Sequence, residues 1–204
     1  MTSTYRTPGL AVDRRHHPGP FPTVPNVVTV VRTVLSVGLG VYGLTTPDPL
    51  WWIVGGYAVY WLGDSLDGLL ARRLDQETRA GGVHDIVSDR ACTGVLAAGL
   101  LVLQPDLWPA IVIFLLNFMV LDTLVSLSFL LWPIVSPNYF GQVDARVHRY
   151  NWSHPAKALN NVGIVAAVVV ANLWLALGIV TVQIAVKLWT AREIIRLVEQ
   201  REMS

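Results

Sequence analysis

Charge is scarce in this chain: Asp, Glu, Lys and Arg together make up 14% of its 204 residues, against about 25% in an ordinary soluble domain. So little charge excludes a soluble globule. The 15 Lys and Arg nearly balance the 14 Asp and Glu, for a formal net charge of +1. The cations are spread over several loops, and such a balance gives no reason to invoke nucleic acid. Cys92 is the one cysteine; it cannot form an internal disulfide and reads as a small apolar packing residue. Internal repeats and low-complexity tracts are absent too.

Apolar residues fill the space that charge leaves, at 53% of the chain, and the mean hydropathy is +0.49. They gather in six runs, 24–44, 50–70, 82–103, 108–132, 155–172 and 173–196. Each has the roughly 17 to 25 residues that cross about 30 Å of hydrocarbon as a helix. The first run is too long for the core of a signal peptide and no small-residue cleavage site follows it, so it reads as a retained helix.

The cations fall on alternate sides of these runs. Arg6, Arg14 and Arg15 precede the first, and Arg72, Arg73 and Arg79 follow the second. Arg146, Arg149 and Lys157 lie between the fourth and fifth, and Arg192, Arg196 and Arg201 close the sixth. Loops 45–49 and 104–106 and the surroundings of Asn172 hold no Lys or Arg. Short cationic loops stay in the cytoplasm, which predicts an all-α integral membrane bundle of six transmembrane helices with both termini cytoplasmic. Residues 1–22 form an N-terminal juxtamembrane or surface segment and residues 23–204 a six-helix transmembrane catalytic domain. The segment carries four prolines and the cluster Arg14-Arg15-His16-His17, a composition that suits anionic headgroups or disorder equally. Short loops without a targeting signal suit a prokaryotic plasma membrane.

Against this apolar background stand Asp64, Asp67, Asp85 and Asp89, at the cytoplasmic ends of the second and third runs. An ionised carboxylate in a bilayer costs about 3 kcal/mol or more unless it is paired or metal-bound. Spacings of three and four put Asp64, Asp67, Gly68 and Ala71 on one helix face, and Asp85 and Asp89 on one face of the next. The step Ala80-Gly81-Gly82 is expected to break the helix and reverse the chain. Such a hairpin collects four carboxylates around one point, where oxygen donors suit Mg²⁺ or Mn²⁺. Gly68 and Ala71 leave room for a ligand, and Arg72 offers a forked donor to phosphate. Singly, the small residues also suit helix packing and Arg72 a snorkelling end; together with four acids they point to a metal-dependent site for a pyrophosphate.

The segment from Asp64 to Asp89 reads D-x-x-D-G-x-x-A-R, eight residues, then G-x-x-x-D-x-x-x-D. It resembles the signature of the CDP-alcohol phosphotransferase family at every defining position: Asp64, Asp67, Gly68, Ala71, Arg72, Gly81, Asp85 and Asp89. PNVVTVVR, residues 25–32, resembles the P-N-x-x-T-x-x-R opening of members that make phospholipids. The resemblance, closest to phosphatidylglycerophosphate synthase-like members, implies an enzyme that moves a phosphatidyl group from CDP-diacylglycerol to a small polar alcohol and releases CMP. It implies two Mg²⁺ or Mn²⁺ ions held by Asp64, Asp67, Asp85 and Asp89, with Asp89 also the catalytic base. It further implies donor contacts from Asn26, Thr29, Gly68, Ala71, Arg72 and Gly81, acceptor contacts from Arg146, Arg149 and Lys157, and a homodimer among membrane lipids.

Glycerol 3-phosphate is the expected acceptor, with inositol phosphate, phosphatidylglycerol or an amino alcohol as alternatives. PAKALNN, residues 155–161, resembles the G-K-x-x-T-x-x-Q element of glycerophosphate-type members, but Ala156 replaces Gly and Asn160 replaces Thr. The Arg that those members carry beside an acid in the fourth helix is missing, because Leu121 precedes Asp122. Asp122 and His84 therefore stay open between functional and structural roles, and His148 and His154 read as loop histidines. Two further readings are a non-catalytic scaffold or lipid-binding relative and a membrane prenyltransferase; the latter expects a second Asp cluster, which is absent after Asp89.

Overall fold

The computed structural model describes residues 19–203, so most of the expected surface segment 1–22 lies outside the described residues. Seven helices follow: α1 Val24–Leu44, α2 Leu50–Arg73, α3 Arg79–Leu103, α4 Pro105–Leu131, α5 Ala145–Asn151, α6 over residues 154–169 and α7 Leu173–Glu202. A 3₁₀ segment, Pro137–Gln142, lies between α4 and α5. The described residues contain no strand. All six apolar runs are helical, and short α5 is the one addition.

Four of these helices, α1, α3, α4 and α7, are long and apolar enough to cross a membrane. Helix α2 falls short of that composition because Trp, Tyr and Gly interleave its aliphatic residues and Asp64 and Asp67 sit in its second half. Helix α6 is short for a span, since residues 154–169 rise only about 24 Å at 1.5 Å per residue.

Chain reversal between α2 and α3 occurs earlier than the glycines predicted. Helix α2 ends where Asp75 takes a positive φ of 52°, and the Gln76 amide donates back to the Ala71 carbonyl at 2.9 Å, a Schellman-type end. Thr78 then caps α3 by accepting from the Gly81 amide at 2.9 Å. Gly81 and Gly82 therefore lie inside the first turn of α3 instead of breaking a helix.

Helix α1 is polar on the inside. Its buried residues include Asn26, Thr29, Arg32 and Ser36, three or four apart, while Val27, Val31 and Val34 are exposed. That reversal of the soluble pattern is what a helix facing lipid on one side and a polar site on the other requires. Helix α1 packs along α2 and α3, and close approach is built in at Gly56 and Gly99. A Cβ there would lie 2.5 Å from Leu96 Cδ2 and Ile53 Cδ1, respectively. Ile53, Tyr57, Leu96, Leu100 and Ile111 form one core cluster. Ile86, Phe129, Phe140, Val147 and Ile194 form another, holding α3, α4, the 3₁₀ segment, α5 and α7 together.

Two helices contain π-helical stretches, Asn117–Asp122 in α4 and Leu159–Gly163 in α6. Widened turns of this kind often sit at functional sites. The Gln183 amide on α7 donates to the carbonyls of Leu159 and Asn160 at 3.1 and 3.3 Å, satisfying groups in the widened α6 turn.

Candidate active site

Helices α2 and α3 bring their four aspartates together. Asp64, Asp67 and Asp85 each offer an oxygen within 4.8 Å of the others, and α1 inserts Arg32 among them. Its Nη2 lies 2.5 Å from Asp85 Oδ1, 3.0 Å from Asp89 Oδ1 and 3.5 Å from Asp64 Oδ1, while Nε donates to Asp67 Oδ2 at 2.8 Å. Thr29 Oγ1 donates to the same Asp67 oxygen at 2.7 Å. Arg32 is only 2% exposed, and its stem crosses α2 at Gly63, where a Cβ would come 2.5 Å from Arg32 Cβ.

The donor set fits divalent metal. The groups that could ligate an ion are carboxylates, the hard oxygen ligands that Mg²⁺ and Mn²⁺ prefer. One guanidinium against four carboxylates leaves most of the negative charge unanswered, and the guanidinium itself stands in for a cation at their common point. Asp64 and Asp85 side chains are 40% exposed, so the cluster opens to a ligand.

On one side of the cluster lies a cavity of about 70 Å³ lined by Asn26, Thr29, Asp67, Gly68, Ala71, Arg72 and Gly81. All six residues expected to contact the donor are thus gathered on one wall system. Two of the glycines matter by size: a Cβ on Gly81 would lie 2.9 Å from Thr78 Oγ1 and 3.0 Å from Asn26 Oδ1, and one on Gly68 would lie 3.3 Å from Arg72 Nη1. Glu77, also in this wall, accepts from the Tyr139 hydroxyl at 2.6 Å. Burial and that carboxylate push the Tyr139 pKa up to about 12, keeping it a donor at neutral pH.

On the other side lies a cavity of about 110 Å³ lined by Asp64, Asp85, Asp89, Arg90, Asp122, Lys157 and Asn160, among others. The two cavities share Gly82, Asp85, Ser136 and Asn138. Ser136, which lines both, has its Oγ buried without a hydrogen-bond partner. Lys157 Nζ donates to Asn138 Oδ1 at 2.8 Å.

Not every residue expected at the acceptor lines a cavity. Arg146 and Arg149 are exposed on α5 and line neither cavity, because α5 buries Val147 and Asn151 on its inner face. Asp122 is paired, and its partners come from other helices. Arg90 Nη2 on α3 reaches Asp122 Oδ2 at 2.5 Å, and Lys187 Nζ on α7 reaches Oδ1 at 2.5 Å. An Arg beside Asp122 thus comes from the third helix, not the fourth. His84 packs edge-on against Phe21 with ring centroids 5.1 Å apart and lines neither cavity.

Arg32 and Arg90 are the site residues that sequence reasoning passed over. Arg32 was visible as the last letter of PNVVTVVR and as part of the polar stripe on an apolar helix; Arg90 directly follows Asp89.

A family model described as CDP-alcohol phosphatidyltransferase matches residues 22–190. The phosphatidylinositol phosphate synthase of Mycolicibacterium smegmatis is 37% identical over 76 residues, 37% of this chain and 34% of that protein. The phosphatidylinositol phosphate synthase of Mycobacterium tuberculosis H37Rv is 39% identical over 80 residues, 38% of this chain and 35% of that protein. The matched stretch spans about a third of the length of these curated relatives. No solved structure matches the chain.

Proposed function

Because the chain belongs to the CDP-alcohol phosphatidyltransferase family, we propose that it transfers a phosphatidyl group from CDP-diacylglycerol to a phosphorylated polyol and releases CMP. Inositol phosphate is favoured over the expected glycerol 3-phosphate. The observation that carries the transfer is the meeting of two cavities at Asp85, with the six donor candidates in one and Asp89 in the other. The names of the curated relatives and the amide and hydroxyl groups of Asn138, Asn160 and Ser126 in the second cavity support a hydroxyl-rich ring as acceptor. Membership of this family sets aside the prenyltransferase reading.

Asp64, Asp67, Asp85 and Asp89 would hold a pair of Mg²⁺ or Mn²⁺ ions. When bound, divalent ions at such a site neutralise charge on a diphosphate and stabilise the departing nucleotide. Asn26, Thr29, Gly68, Ala71, Arg72 and Gly81 would seat the CDP portion, with the two glycines leaving the space that a side chain would fill. The acceptor oxygen then attacks the phosphatidyl phosphorus, the bond from that phosphorus to CMP breaks, and Asp89 takes the hydroxyl proton. A carboxylate lining the acceptor cavity suits that step.

The same reading has six membrane helices, both chain ends and the site on the cytoplasmic side, a prokaryotic plasma membrane and a homodimer. Helical α2 and α6 and the alternating distribution of Lys and Arg support the span count. Exposed Val34, Leu62, Leu116 and Leu124 supply apolar outer faces for lipid or a second copy.

The test is CMP release from CDP-diacylglycerol by purified protein with Mg²⁺, offered inositol 1-phosphate, glycerol 3-phosphate, inositol and amino alcohols. Inositol 1-phosphate is expected to give the fastest release. Absence of CMP with every acceptor, in protein that binds the donor, rejects the transferase reading and favours a lipid-binding scaffold.

A further inference from the structure

Helix α7 carries a polar stripe through its apolar length. Gln183, Lys187 and Thr190, four and three residues apart, lie on its inner face at 2%, 2% and 0% exposure. An amide or an ammonium in such a place is costly unless it is bonded, and each of the three is bonded to a neighbouring helix. Gln183 Nε2 reaches the Leu159 and Asn160 carbonyls of α6 at 3.1 and 3.3 Å. Lys187 Nζ pairs with Asp122 on α4 and donates to Asn151 Oδ1 on α5 at 2.8 Å, and Thr190 Oγ1 accepts from Asn151 Nδ2 at 2.8 Å. Asp122, Asn151 and Asn160 all line the cavity proposed for the acceptor, whereas Gln183, Lys187 and Thr190 line neither cavity. The stripe therefore acts on that cavity only through the residues it holds.

Gln183 holds the least regular of these contacts. The turn Leu159–Gly163 is π-helical, so its bonds run from residue i to i−5, and where the pattern changes from i−4 a carbonyl loses its full partner within the helix. A buried carbonyl needs a donor, and the Gln183 amide supplies one from outside α6. An apolar side chain at 183 would withdraw that donor, and ordinary α geometry, which satisfies the same carbonyls within α6, would become the better arrangement. Recovering α geometry over one residue rotates the segment before the turn by about 100° against the segment after it. Ala167 and Val168, both fully buried, anchor the later segment in two core clusters, so Asn160 is the part that leaves the cavity wall.

We propose that Gln183 is the positioning residue for acceptor recognition: by holding the widened turn of α6 it keeps the Asn160 amide in the cavity wall, where that amide binds a hydroxyl of the polyol. An amide both donates and accepts, as a hydroxyl does, so the pairing suits either orientation of the ring oxygen. Asn160 touches the acceptor, and Gln183 acts through it from outside the cavity. The identity of the ligand as acceptor rests on the transfer reading.

The test is a double-mutant cycle on the full-length protein in detergent, read by equilibrium binding of inositol 1-phosphate and, in a second titration, of CDP with Mg²⁺. Gln183→Met keeps the length of the side chain and removes its donor, and Asn160→Ala removes the amide that the turn presents. Each is expected to weaken inositol 1-phosphate binding about tenfold, the loss of about one hydrogen bond, and to leave CDP binding within about twofold. Because Gln183 acts through Asn160, the double variant is expected to bind within about twofold of Asn160→Ala alone, where independent effects would multiply to about a hundredfold. Thr181→Val, at an exposed position of the same helix, should bind both probes as wild type does. Multiplied losses in the double variant, unaltered polyol binding in Gln183→Met, an equal loss of CDP binding, or no polyol binding to wild type each overturn the proposal. Should Gln183→Met not fold, Gln183→Asn, which keeps the amide and withdraws it by one methylene, is judged by the same cycle. CMP release is scored separately: a coupled loss of binding in protein that releases no CMP keeps this role and removes the transfer reading. Release whose acceptor KM ignores both substitutions keeps the transfer and removes the role.

Discussion

Arg32 Nε donates to Asp67 Oδ2 at 2.8 Å, and with the contacts of its Nη2 to the other aspartates it ties the first helix to the cluster. Both side chains are nearly inaccessible, at 2% and 6% exposure. A buried carboxylate stripped of its cation costs about 3–5 kcal/mol, but here a divalent ion can replace part of what the guanidinium supplies.

Arg32→Gln is therefore expected to unfold at lower temperature than wild type in EDTA and to gain more stability from Mg²⁺. Thermal unfolding of the purified protein with and without Mg²⁺ reads both quantities. An equal Mg²⁺ increment in variant and wild type would show that Arg32 and the metal do not share the same charge.

Asp89 is the aspartate whose proposed role is chemical as well as structural. Asp89→Asn keeps the size and one oxygen of the side chain but removes the base, so turnover is expected to fall by about 10²–10⁴-fold. Affinity for CDP-diacylglycerol should stay within a few-fold, since the six residues proposed to contact the donor line the other cavity. Steady-state CMP release and donor titration check the two halves, and turnover near that of wild type would remove Asp89 from the proton transfer.

Gly81 tests the donor side. An added Cβ meets Thr78 Oγ1 at 2.9 Å and Asn26 Oδ1 at 3.0 Å, which pushes apart the cap of α3 and an amide at the start of α1. Gly81→Ala is expected to raise KM for CDP-diacylglycerol by about tenfold, equivalent to about 1.4 kcal/mol, and to leave KM for the acceptor nearly unchanged. The reverse pattern would move Gly81 to the acceptor side.

These residues also show where sequence reasoning reaches and where it stops. Asp64, Asp67, Asp85 and Asp89 were legible because ionised groups in apolar helices demand a reason, and helical periodicity put them on facing surfaces. Arg146, Arg149 and Lys157 were grouped because they are close in sequence. The brief α5 instead turns Val147 and Asn151 inward and both arginines outward, so only Lys157 lines the cavity. The partners of Asp122 come from two distant helices, a relation no local spacing encodes. The step Ala80-Gly81-Gly82 predicts the reversal before α3 because glycines break helices; Asp75 takes the positive φ instead, as Asp does more readily than most residues.

Glycines in membrane helices divide into those that a crossing requires and those that it does not, and two positions here separate the classes. At Gly63 a Cβ would sit 2.5 Å from Arg32 Cβ and 2.7 Å from its Cδ, so α1 and α2 would have to part or Arg32 leave the cluster. At Gly178 on α7 nothing lies within 4 Å of an added Cβ. Gly63→Ala is expected to cost about 1–3 kcal/mol of overpacking and to weaken the Mg²⁺ response that depends on the aspartate geometry. Gly178→Ala should be neutral or gain up to about 1 kcal/mol from helix propensity. Unfolding midpoints in one detergent, with and without Mg²⁺, distinguish the two. Equal behaviour of both variants would mean that Arg32 reaches the aspartates without the close crossing at Gly63.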